Sequence, residues 1–419
     1  MAQSDSTHVG GYVAFTYRDF TLYQTARFFI VAALEMQSVA VGWQVYDITR
    51  KPLDLGLVGL AQFLPSFLLF LVAGHAVDRF ERRKILVLCY AGLAICSGLL
   101  LLITFSHYET VYSIYVVMVL VGIVRSFSAP GGRAFLPEIV SEEHFPNAVA
   151  WNATIFEGST ILGPAVGGFL YALTKGPHVV YGAALIIGIV ATVSMLRIKS
   201  KAKPRPREEI SMKTVLAGLR YIWEQKVILG AISLDLFAVL LGGAVALLPV
   251  YAREILHTGP WGLGLLRSAP GVGAAIMALA VAHRPLKRKV GLTMLWCVAG
   301  FGVCTIIFGL SRSLIISLVA LLLLGAADMV SVIIRGILVQ LGTPNSMRGR
   351  VNAVEMLFIG ASNELGQFES GITAAWFGTV PAVVLGGIGT LLVIAFWAWQ
   401  FPELRNADQF ISVQDEALP

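Results

Sequence analysis

The sequence predicts an all-α polytopic membrane protein, with twelve transmembrane helices in two pseudo-symmetric six-helix bundles. Three observations carry that prediction. The 419 residues are 57% hydrophobic and only 13% charged, whereas an ordinary soluble domain is about 25% charged. The apolar residues fall into stretches of about 20, the length a helix needs to cross the hydrocarbon core. Finally, short patterns in the first half return in the second. CYAGLAIC at 89–96 is echoed by CVAGFGVC at 297–304, an offset of 208. Ser159, Gly163 and Gly168 are echoed by Ser362, Gly366 and Gly371, an offset of 203. Parallel repeats of one six-helix unit are the expected cause.

Span by span, the expected crossings are 19–46, 54–77, 84–106, 111–133, 148–174 and 177–198. The second set is 226–252, 261–283, 289–310, 313–340, 348–376 and 380–401. They are numbered 1 to 12 in this order. Spans 5 and 11 carry the weakest apolar signal, because glycines and acids interrupt them. Between the halves, KSKAKPRPREE at 199–209 is basic and broken by proline, a pattern for a solvated linker. Next, Met212, Val215, Leu216, Leu219, Ile222 and Trp223 share one helical face, which predicts an amphipathic helix on the membrane surface. The expected organisation is therefore 1–198, a linker at 199–225, a second bundle at 226–405 and a tail at 406–419.

Charge sets the orientation. Of 31 Lys and Arg residues, 22 fall on the side that carries both termini and five on the other; Arg27, Arg125, Arg267 and Arg335 lie within spans. Positive residues favour the cytoplasmic side, so both termini are expected there. The net charge of +6 is explained by anionic lipid and needs no nucleic acid. The four cysteines form two pairs seven residues apart on helices, about 10 Å along the axis. A disulfide requires Cα atoms within about 7 Å, so these are packing residues. The N-terminus lacks the basic region, short apolar core and cleavage site of a secretory signal.

Between spans 2 and 3, six of the seven residues from Asp78 to Lys84 are charged. Gly74 allows close helix approach, and the Asp78 carboxylate is suited to a helix N-terminus or an arginine. The loop GHAVDRFERRK resembles the major facilitator superfamily signature G-x3-D-R-x-G-R-R, through Gly74, Asp78, Arg79, Arg82 and Arg83; Glu81 stands where the second glycine is expected. In span 5, STILGPAVGG resembles the superfamily's antiporter signature through Gly163, Pro164, Gly167 and Gly168, with Ser159 in place of the leading glycine. The segments at 26–49, 78–85 and 343–354 resemble the branch of bacterial enterobactin- and macrolide-type exporters. This resemblance implies a proton-coupled exporter (antiporter) of the bacterial inner membrane, working by alternating access on an amphipathic small molecule such as a drug or siderophore. An importer or a lysophospholipid flippase of the same fold is the nearest alternative. A polytopic enzyme would need a nucleophile–base pair or metal cluster, and neither is legible.

Charged residues inside spans are functional candidates. Glu35 in span 1 and Asp235 in span 7 are the leading acids for carrying a proton or meeting a cationic cargo. Gln37, Trp43 and Gln44 follow Glu35, and Asn363 and Gln367 in span 11 are further cavity candidates. Arg125 in span 4 has Glu35 or Glu157 as expected partner. Asp328 and Arg335 in span 10, with Arg348, Gly349 and Arg350 opening span 11, are read as the second-half gate. No G-x4-G-K-[ST] loop is present and no cofactor is expected. The expected partners are a small-molecule cargo, protons and the bilayer, with the monomer as working unit.

Overall fold

A computed structural model describes residues 11–106, 109–199, 212–286 and 288–408. All but the first residue of the expected linker at 199–209, and most of the tail at 406–419, lie outside these residues. Among the described residues, nine helices are long and apolar enough to cross a membrane, or ten if one bent pair counts as a single span. That pair is span 2, formed by Pro52–Leu68 and Phe70–Arg79 with a 53° bend between them. Pro65 lacks the N–H that would reach the carbonyl one turn back, and the helix breaks one turn beyond it. The remaining two, Phe145–Thr174 and Asn345–Phe377, are spans 5 and 11. They are 30 and 33 residues long but less apolar than the others, as their glycines and acids predict.

The other spans are Arg18–Thr49, Arg82–Phe105, Val111–Phe135, His178–Leu196, Gly259–His283, Val290–Leu310, Leu314–Leu341 and Thr379–Gln400. Span 7 departs from the continuous helix expected at 226–252. Its α-helix, Lys226–Gly242, gives way to a 3-10 turn at Ala244–Leu247 and a π-helical turn at Tyr251–Ile255. Gly243 and Pro249 sit at the irregularity, where a hydrogen-bond donor is missing and side-chain constraint is absent.

The packing repeats between halves. Span 1 lies against spans 5 and 6, span 3 against 4 and 6, and span 2 against 4. In the same way span 7 lies against 11 and 12, span 9 against 10 and 12, and span 8 against 10. The halves join where span 5 meets span 8 and span 2 meets span 11. These two crossings are related by the sequence echo. A Cβ on Gly168 would lie 2.8 Å from Gly264 Cα, and one on Gly371 would lie 2.9 Å from Gly56 Cα. Gly56 and Gly264 differ by 208, and Gly168 and Gly371 by 203. Only glycine permits backbones this close, so the repeat is a repeat of contacts as well as of letters. Span 5 packs on spans 1 and 8, and span 11 on spans 2, 7 and 12; the small residues that permit those contacts lower their hydropathy.

Both crossings lie toward the end of the bundle away from the chain termini. At the opposite end lie the turns between spans 2 and 3 and between spans 10 and 11. Cys89, Cys96 and Cys304 are buried and Cys297 partly so, all as free thiols. The amphipathic helix forms at Met212–Glu224. Its apolar face is divided between two neighbours. Ile222 is buried with Val351 and Val354 of span 11, while Leu216 and Trp223 stay exposed.

Candidate functional site

The loop between spans 2 and 3 shows why the missing glycine matters little. Phe80 and Glu81 have φ of −104° and −62°, so no left-handed residue is required. Gly74 is buried and Arg79 exposed. Arg82 forms a nearly buried ion pair with Glu138 at the end of span 4. Arg83 donates to the Leu196 carbonyl at 2.7 Å, satisfying the C-terminal end of span 6. In the second half, Arg348 donates to the Gln340 carbonyl at 3.0 Å, at the end of span 10. Gly349 is exposed beside it, and Arg350 lies against the Met347 sulfur at 3.6 Å. The expected gate residues thus fasten helix ends, and Asp328 and Arg335 lie deeper, away from them.

Arg335 is instead the centre of a buried cluster. Asp235 pairs with it directly, and Glu355 of span 11 lies 3.3 Å from its Nε. Asp328 is within electrostatic reach of both Asp235 and Arg335. Asp235, read from sequence as a cavity acid matched with Glu35, is therefore neutralised by an arginine within its own half. The offset explains the mismatch: Asp235 corresponds to Arg27, and Glu35 corresponds to Gly243, so the two acids are not at equivalent depths.

Gln37 and Gln44 are also corrected. Gln37 accepts from the Ser97 hydroxyl at 2.6 Å, and Gln44 accepts from Tyr181 at 2.6 Å. Both are buried inside the first bundle, against spans 3 and 6, where their hydrogen bonds satisfy polar groups in an apolar interior. Seven residues apart on one helix places them on one face, but sequence spacing does not say which neighbour that face meets.

A second network straddles the two halves. Gly163 lets span 5 approach until its missing Cβ would be 2.6 Å from Glu35 Cβ, and Gly167 does the same against Met36. Pro164 lies between them, its carbonyl 2.5 Å from where a Cβ on Gly264 would stand. Beside Glu35, Arg267 of span 8 donates to the Ser38 hydroxyl at 2.7 Å. Arg267 is within electrostatic reach of Glu35 and of Glu364. Glu364 of span 11 in turn lies 3.6 Å from Arg125 and accepts from Gln367 at 3.2 Å. Arg125 also donates to Gln62 of span 2 at 3.2 Å. The partner of Arg125 is thus Glu364, in the other half, and neither Glu35 nor Glu157. Asn363 is exposed and bonded to its own helix at the Ile359 carbonyl. Arg267 escaped the sequence reading, and Glu364, one of the acids that mark span 11 in the sequence, enters this site rather than a gate. Arg267 was one of four basic residues inside spans, which was the available signal.

Toward the end away from the termini, the network gives way to a closure. Arg253 pairs with Asp47 at 2.6 Å and stacks over Trp43 at 5.2 Å. Tyr46 donates to Glu254 at 2.6 Å. Spans 1 and 7 are tied there by two adjacent polar links and one aromatic contact. The arrangement is a tie between spans 1 and 7 at one end and a charge-balanced network across the halves below it.

Comparison with known proteins agrees with this geometry. A family described as transmembrane secretion effector, MFS_3, matches residues 11–417. The chain is 26% identical over 389 residues to the enterobactin exporter EntS of Escherichia coli (strain K12), covering 92% of each protein. It is equally similar to that exporter from Citrobacter koseri, over 397 residues and 94% of each. Among solved structures, a bacterial homologue of the human lysosomal transporter Spinster, inward-facing and occupied, superposes with a TM-score of 0.70 at 13% identity. That superposition covers 93% of this chain and 98% of the other. A D-xylose–proton symporter gives 0.69 at 14% identity, over 92% and 98%.

Proposed function

Because this chain belongs to the transmembrane secretion effector family of major facilitator transporters, we propose that it is a proton-coupled exporter of an amphipathic small molecule. The name of its relatives, enterobactin exporters, supports a siderophore within that cargo class. The proposed membrane is the bacterial inner membrane, with both termini cytoplasmic by the distribution of Lys and Arg. In this orientation the lock at Asp47–Arg253 is periplasmic. The proposed moving bodies are 1–198 and 226–405, joined by 199–225, with 406–419 as a tail. The monomer is the proposed working unit.

The observation that carries the reading is the network of Glu35, Arg267, Glu364 and Arg125 across the two halves. Two acids and two arginines balance there, in a region where an unpaired charge is costly. A proton taken by Glu35 or Glu364 leaves an arginine uncompensated and weakens the tie between halves. Proton binding from outside and cargo release then share one set of groups. Among the sequence candidates Glu35 keeps the coupling role, and Glu364 replaces Asp235.

Purified protein in liposomes, with an imposed proton gradient and labelled candidate cargoes, tests this. Glu35→Gln and Glu364→Gln should lose gradient-driven accumulation while retaining exchange of cargo across the membrane. Unchanged gradient dependence in both variants would remove the coupling assignment.

A further inference from the structure

Two arginines on the first bundle are not explained by the proton network. Arg27 of span 1 lies over the ring of Phe156 of span 5, 5.5 Å from its centroid, and donates to the Asn152 side chain. Asn152 and Phe156 are one turn apart on the same helical face. Tyr23, buried one turn before Arg27, hydrogen-bonds to Arg27 and donates to the Gly132 carbonyl at 3.2 Å. The residue after Gly132 is Arg133, which is exposed and electrostatically coupled to Arg27. Neither arginine has an ion-pair partner among the described residues. The acid facing them is Glu355 of the second bundle, already engaged by Arg335.

We propose that Arg27, Arg133 and Phe156 form a half-site for an anionic aromatic group of the cargo. The two guanidinium groups repel each other, and neither has an ion-pair partner among the described residues. An anion between them removes both costs. Phe156 is 40% exposed and offers a flat apolar wall beside it. The Arg27–Phe156 stack and the Asn152 bond hold the guanidinium plane still, so little side-chain freedom is lost on binding. Arg133 and Phe156 are both exposed, at the end of the molecule opposite the glycine crossings, so a ligand can reach the site. The acidic face across the gap, with Asp235, Asp328 and Glu355 against the single Arg335, disfavours an anion there and directs it to the first bundle.

The proposal deepens the export reading by naming the charge of the cargo. Its test uses no gradient, so it stands or falls separately from coupling. The full chain in nanodiscs of zwitterionic lipid is titrated with 1-naphthoate, with the neutral 1-naphthamide and with the cation 1-naphthylmethylamine. Naphthoate should bind the most tightly of the three. Arg27→Gln and Arg133→Gln should each weaken naphthoate about tenfold, the scale of one charged hydrogen bond. They should leave naphthamide unchanged, which also reports that the variants are folded. Arg27→Lys should recover part of the loss, and Arg220→Gln on the surface helix should have no effect. Equal affinity for the anion and the amide would overturn the proposal, as would equal loss of both in the arginine variants. A second series in phosphatidylglycerol discs separates the sources of the anion. Naphthoate affinity should be the same as in zwitterionic discs; its abolition by anionic lipid would assign the half-site to a lipid phosphate and overturn the cargo reading.

Discussion

Asp235 and Arg335 are 7% and 4% exposed, and each is the other's direct partner. Removing one charge from such a pair leaves the other buried and alone, typically at a cost of about 3–5 kcal/mol. Arg335→Gln should therefore lower thermal stability in detergent markedly, and the double variant with Asp235→Asn should recover much of it. A single variant as stable as the parent would show that the pair is not a buried unit. The sequence marked both residues, because charge inside an apolar helix is conspicuous. It assigned them to different roles, because nothing in the spacing of spans 7 and 10 tells which helices face each other. Arg125 shows the same thing: its partner Glu364 is 239 positions away and in the other half. Gln37 and Gln44 looked like cavity groups for being polar, and are interior ones because their face meets Ser97, Thr104 and Tyr181.

Elements were legible where hydropathy acts locally. The long apolar runs became helices close to the expected bounds, and the amphipathic period at 212–223 became a helix. What the period could not tell is that this helix divides its apolar face between span 11 and the outside. Gly218 sits where a Cβ would be 2.6 Å from the Arg350 carbonyl, which seats the helix on span 11. Gly218→Leu should lift it away at about 1–3 kcal/mol, the usual cost of overpacking. The check is faster trypsin cleavage at Arg220, with the rest of the chain unaffected. The bend in span 2 has a local cause in Pro65 that the apolar pattern of 54–77 does not show, and the unwinding after Gly242 was no more legible. Gly-Gly and a lone proline are common inside membrane helices, and neighbouring groups decide whether the backbone departs from the helix there.

For the whole molecule, the consequential contacts are the paired glycine crossings and the Asp47–Arg253 closure. Together they hold the halves shut at one end. Gly371→Leu puts a side chain where Gly56 Cα lies 2.9 Å from the missing Cβ, so the halves cannot seat there. In a chain whose four cysteines are replaced by alanine, Val250→Cys reports on this end, because Val250 is buried beside it. An impermeant maleimide should label that cysteine poorly in intact cells, and several-fold faster once Gly371→Leu is added. Equal labelling in both backgrounds would mean the glycine crossing does not hold this end closed.

The sequence by itself determined that the chain crosses a membrane repeatedly, that its halves repeat, and which residues break the apolar rule. Each of these is set by local composition or by copying, and both leave their mark along the chain. The tertiary structure alone decided which charges neutralise one another, which polar faces turn inward, and which end of the bundle is closed. In a bilayer, helices share the same apolar surround, so burial from water does not select their partners. Selection falls to close backbone approach and to charge pairing across long separations, and those are properties of the assembled bundle.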